Sequence, residues 1–249
     1  MTAPSESKVP EPTLAFWATK IAATTLGETA GDALSMTLGL GYLASTGIFA
    51  AIFALSVATQ GRLKRFNRWV YWLTICTTTT LGTTLADFAD RDLGIGYAGG
   101  ATLLAIALLA ALLVWRKVEG SVAVESVNRP RAEAFYWVTI MFSQTLGTAL
   151  GDWAADSAGL GYSGGALLFG AVLGLLVVLA WTTSVSRTAL FWAAFVLTRP
   201  FGAVLGDFLD KPVESGGLAM SRVSASIALA TAMVLLIVLF KQRPAQKAH

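Results

Sequence analysis

Apolar residues in this chain fall into eight runs separated by short polar turns. Each run is about 20 residues long, the length that crosses the hydrocarbon core of a bilayer as a helix. They read as helices at 14–35, 43–60, 66–88, 98–115, 133–154, 164–183, 188–209 and 222–240. The even-numbered runs are plain, as from Ala101 to Trp115. The odd-numbered runs carry a polar phrase toward their C-terminal ends.

That phrase occurs four times: Gly27 to Asp32, Gly82 to Asp87, Gly147 to Asp152 and Gly202 to Asp207. In each, a Gly precedes an Asp by five residues and a small residue stands directly before the Asp. Seven residues after the Asp, the first three copies continue with a second phrase, Gly39 to Tyr42, Gly94 to Tyr97 and Gly159 to Tyr162. In the fourth the second phrase has decayed to Lys211 through Gly217. A pattern of this length at matching places is an internal repeat. The motif glycines are 55, 65 and 55 residues apart, which predicts four two-helix hairpins paired into two halves. The expected organisation is a tail at 1–13 without fixed structure, a first half at 14–116, a linker at 117–132, a second half at 133–240 and a basic tail at 241–249. An even number of helices per repeat points every hairpin the same way. The repeats are then related by an axis along the membrane normal, giving an all-α, two-plus-two or pseudo-fourfold bundle of eight transmembrane helices.

Composition agrees. The 249 residues are 55% hydrophobic and 13% charged, with mean hydropathy +0.65, against roughly 25% charged in soluble domains. Thirteen of the 18 Lys and Arg lie at the termini or in the turns after even runs, a bias that places both termini in the cytoplasm. Because the basic residues follow topology and form no face, nucleic acid is not an expected partner. The lipid bilayer is one, and a homo-oligomer is left open. The single Cys76 and single His249 exclude a disulfide framework or a Cys/His metal cluster within one chain. No cofactor phrase and no nucleophile with a base is visible, so an enzyme is not expected.

All eight aspartates fall in the four motif windows. A carboxylate at membrane depth is costly and is usually turned to the bundle interior. Glu28 lies four residues before Asp32 on the same helix face, one turn deeper; Thr83 and Thr148 hold that place in repeats two and three, and Ala203 in repeat four. Oxygen ligands without His or Cys suit a hard divalent cation. The expected ligands are Glu28, Asp32, Asp87, Asp152 and Asp207, with Asp90, Asp156, Asp210, Gln144, Lys20 and Arg199 as secondary candidates. The bland alternative is that the aspartates cap glycine-rich turns at the bilayer surface. Lys20 is expected to snorkel toward the cytoplasm, with pairing to a carboxylate as the alternative. Arg199, before Pro200, is either a structural ion pair with Asp152 or Glu28, or an internal counter-ion that leaves when a substrate cation enters. Trp17, Trp69, Trp72, Trp137 and Trp192 are expected to form an interfacial belt. Gly-x-x-x-Gly strips one helix stripe of side chains and lets a neighbour approach.

The Thr-Leu-Gly-x-x-x-Gly-Asp phrase and the Gly-Leu-Gly-Tyr turn together resemble a family of uncharacterised bacterial multi-pass inner-membrane proteins, from Trp17 to Phe240. That resemblance implies the topology and an inner-membrane location, and assigns no activity. Glu28 to Asp32 is also similar to the Glu-x-Gly-Asp phrase of manganese and calcium cation/proton exchangers, with one extra residue before the Gly and no basic residue after the Asp. The expected function is a transporter of divalent cations, manganese before Mg²⁺ or Ca²⁺, acting as an exporter. The alternatives are a channel or carrier for protons or other small cations, and a non-transporting scaffold that binds partner helices.

Overall fold

Polar caps set several helix starts: the Thr13 hydroxyl accepts from the Phe16 N–H, Asn67 Oδ1 from those of Trp69 and Val70, and the Ser186 hydroxyl from that of Ala189. In the computed structural model, which describes residues 6–246, the eight runs form α1 (Leu14–Asp32), α2 (Gly41–Arg62), α3 (Arg68–Asp87), α4 (Tyr97–Glu119), α5 (Pro130–Asp152), α6 (Gly161–Thr182), α7 (Arg187–Asp210) and α8 (Arg222–Leu239). By length and composition α2, α4, α6, α7 and α8 can cross a membrane, in keeping with a membrane protein. Helices α1, α3 and α5 carry the threonines and charges of the motif and are less apolar.

The four odd helices make a closed ring, α1 against α3, α3 against α5, α5 against α7, and α7 back against α1. The even helices lie outside it. Helix α2 packs on α3, α4 on α5, α6 on α7, and α8 closes on α1. The two helices of a repeat therefore pack little on each other: each outer helix packs chiefly on the inner helix of the next repeat, and the ring is continuous across the two halves.

The turn after the motif explains the crossing over. Past Asp32, Asp87 and Asp152 the chain widens into one π-helical turn, Ala33–Thr37, Phe88–Asp92 and Trp153–Ser157. It then reverses through paired glycines with φ between 64° and 75°, Gly39 and Gly41, Gly94 and Gly96, Gly159 and Gly161. Only glycine enters that region without a Cβ penalty, which accounts for both glycines of the second phrase. Residues such as Leu103, Ile106, Leu109 and Leu113 of α4 then face outward, exposed and apolar.

Both tails lie at the end of the ring opposite the motifs. The tail expected to be without structure is ordered from Glu6 onward: Ser7, Lys8 and Val9 are buried, Pro10 bridges Pro244, and the Lys8 ammonium bonds Glu133 at 2.8 Å. Residues 1–5 and 247–249 fall outside the described residues. Burial holds the segment from Glu6 in place: Lys8 neutralises a Glu133 side chain that is itself enclosed, and an unpaired charge there would be costly.

The expected tryptophan belt is also corrected. Trp72, Trp137 and Trp192 are 0%, 2% and 5% exposed, and only Trp69 is open at 45%. An aromatic-Trp pair stands ten residues before each motif glycine: Phe16-Trp17, Tyr71-Trp72, Tyr136-Trp137 and Phe191-Trp192. The first ring of each pair meets the Trp of the next helix, Phe16 on Trp72, Tyr71 on Trp137, Tyr136 on Trp192 and Phe191 on Trp17, with centroids 5.5 to 6.2 Å apart. The Tyr71 and Tyr136 hydroxyls bond each other at 2.7 Å. This aromatic layer seals the tail end of the ring.

Candidate functional site

The motif glycines set the spacing of the ring. A Cβ on Gly27 would meet Thr79, one on Gly82 Gln144, one on Gly147 Arg199 and one on Gly202 Thr24. Each of those partners lies three residues before the motif glycine of the next helix, so one register runs around the whole ring. The second small position repeats the arrangement, with Thr83 against Gly31, Ala203 against Gly151 and Glu28 against Gly206. Small residues thus provide slots that hold the stems of Glu28 and Arg199, as the close-approach reading expects.

The carboxylates converge inside the ring. Glu28, Asp32, Asp87, Asp152 and Asp207 are all at most 4% exposed. Oxygens of Glu28, Asp152 and Asp207, from α1, α5 and α7, lie within 4.8 Å of one another, as do those of Asp32, Asp207 and Asp210. Asp87 belongs to neither group and pairs with Arg91 Nε at 3.0 Å. A rim of surface caps is not what these residues form.

Four cations hold this cluster. Arg199, fully buried, places Nη2 2.9 Å from Glu28 Oε2, 2.6 Å from the Thr83 hydroxyl and 2.5 Å from the Thr148 hydroxyl. Its ion pair is with Glu28; Asp152 instead has Arg91 at 3.8 Å. Arg91 thus bridges Asp87 and Asp152, while Lys211 bridges Asp207 and Asp32, each at 3.0 Å. Arg222 reaches Asp210 at 3.3 Å and Asp32 at 3.5 Å. Just beyond the helices, burial opposes charge on Arg91 and Lys211, but the aspartates they bridge outweigh it and hold both cations protonated well above their ordinary range.

Arg91 and Lys211 escape a reading by motif alone, though a signal exists: each stands four residues after the motif Asp, where repeats one and three have Met36 and Asp156. The cap is therefore twofold where the ring is fourfold. Of the secondary candidates, Asp210 joins the cluster, Asp156 is exposed, and Asp90 is buried against Gly100 of α4. Gln144 is fully buried, and neither amide atom has a hydrogen-bond partner among the described residues. Lys20 does not snorkel. It is 0% exposed, with Nζ 3.8 Å from the Phe195 ring centre, because the aromatic layer lies between it and the tail end.

A family model described as Repeat of Unknown Function (DUF347) matches four times, over residues 15–66, 70–121, 135–186 and 190–243. The chain belongs to the DUF347 repeat family. The four matched segments contain one inner and one outer helix each, so the DUF347 unit is a sequence repeat whose two helices pack on different neighbours. No curated protein and no solved structure matches the chain.

Proposed function

We propose that this protein carries a small hard cation across the membrane, a divalent metal ion with manganese foremost, through the carboxylate cluster at the centre of the inner ring. In this reading all eight helices cross the bilayer, and the Lys and Arg bias puts both tails in the cytoplasm. The observation that carries the proposal is the buried convergence of Glu28, Asp152 and Asp207 from three helices within 4.8 Å. Carboxylate oxygens at that spacing suit Mn²⁺, Mg²⁺ or Ca²⁺ better than softer metals. Six carboxyl groups, Glu28, Asp32, Asp87, Asp152, Asp207 and Asp210, face four cations, Arg91, Arg199, Lys211 and Arg222, so oxygen ligands outnumber the side chains that pair with them. In this reading the aromatic layer closes the path between the cluster and the tails.

Repeat three contains its own control. Asp152 and Asp156 are four residues apart, one enclosed in the cluster and the other exposed. In proteoliposomes, Asp152→Asn is expected to lower Mn²⁺ flux at least tenfold and Asp156→Asn to leave it unchanged, with both proteins eluting as folded particles. Equal flux through the two variants would discard the assignment. Protons or monovalent cations outcompeting Mn²⁺ in the same vesicles would transfer the site to a carrier of those ions.

A further inference from the structure

Three oxygens from three helices meet at one nitrogen. Glu28, Thr83, Thr148 and Ala203 each follow the first motif glycine by one residue and so share one level of the ring. The first three place a carboxylate or hydroxyl oxygen 2.5 to 2.9 Å from Arg199 Nη2. The fourth helix has alanine at that level, and supplies the nitrogen from Arg199, one turn earlier.

The contact is built around a point and not around a guanidinium. Arginine and a carboxylate ordinarily pair through two parallel N–H bonds. Here all three oxygens lie within 2.9 Å of Nη2, while Nε and Nη1, enclosed in the same fully buried side chain, have no hydrogen-bond partner among the described residues. A carboxylate and two hydroxyl oxygens around one centre can also coordinate a bare hard cation, which takes oxygen ligands. The Arg199 stem fills the slot at Gly147, and Pro200, next in the chain, removes the N–H that would bond the Val196 carbonyl.

We propose that Glu28, Thr83 and Thr148 form a cation site whose resting occupant is the protein's own Arg199, displaced when a free cation binds. The inference rests on the transport reading for the identity of that cation. It adds that an unloaded carrier keeps Glu28 neutralised by a tethered charge, so that apparent affinity is lowered by the fraction of time Arg199 holds the site.

Mn²⁺ binding to the purified full chain in detergent tests this by calorimetry and by thermal unfolding. Arg199→Gln is expected to bind Mn²⁺ at least tenfold more tightly than the wild type and to gain more thermal stability from it. Low millimolar guanidinium ion should compete in that variant and not in the wild type. Thr148→Val added to Arg199→Gln should cancel most of the gain. If Arg199→Gln does not fold, Arg199→Lys, which keeps the charge but loses the extended guanidinium, is expected to show a smaller gain of about threefold. Wild-type affinity in whichever variant folds overturns the tethered occupant, and Mn²⁺ flux through the wild type would then leave the transport reading intact. Tighter binding in the variant with no wild-type flux keeps the site and removes transport.

Discussion

Glu28→Gln alone is expected to lower the stability of the metal-free protein by about 3–5 kcal/mol, because it leaves the Arg199 guanidinium buried without a counter-charge. The pair is enclosed, with side chains 0% and 4% exposed, so water cannot take over the role of the missing partner. Arg199→Gln should cost a similar amount for the opposite reason, leaving the carboxylate unpaired. The double variant Glu28→Gln/Arg199→Gln should recover most of either loss, since two amides can bond each other and the two threonine hydroxyls without a net charge. A double-mutant cycle read by thermal unfolding in detergent gives the coupling directly. Losses that simply add would mean that the two side chains do not interact.

The second large effect concerns spacing. A methyl at Gly82 would lie 2.9 Å from the Gln144 carbonyl carbon and the Thr145 nitrogen, both backbone atoms of α5. A flexible side chain could swing aside, but a helix backbone moves only as a body, so the α3–α5 joint of the ring must open. Gly82→Ala is expected to destabilise by about 1–3 kcal/mol or more, the range for overpacking. Gly47, on the outer helix α2, has no atom of the described residues within 4 Å of an added Cβ, its own chain neighbours and helix turn aside. Gly47→Ala should leave the melting temperature unchanged or raise it slightly, as alanine loses less chain entropy in a helix. If both substitutions have the same effect, close approach at the motif glycine is not what holds the ring together.

Much of this was legible along the chain. Eight helices, four repeats and the inward turn of the motif acids follow from the apolar runs and from the cost of a charge in a greasy interior. Glu28 could be picked out because it stands one turn from Asp32 and has no acidic equivalent in the other repeats. The aromatic-Trp pairs were equally visible, ten residues before each glycine, yet Trp near a helix start also fits an interfacial belt. Composition cannot separate a tryptophan facing lipid headgroups from one facing another ring. Lys20 misled in the same way, because a long stem can either snorkel or stay inside, and only the aromatic layer beyond it decides.

By itself, then, the sequence determined what recurs locally: helix length, the glycine stripe, the acid beside it, and the paired glycines that reverse the chain. Only the tertiary structure decided which helices meet. The turn after each motif passes the outer helix to the next repeat and closes α8 on α1. It also brings Arg199 across to Glu28, Thr83 and Thr148. Contacts between helices 50 to 170 residues apart depend on the direction in which each turn leaves the ring, and spacing along a chain does not encode that direction.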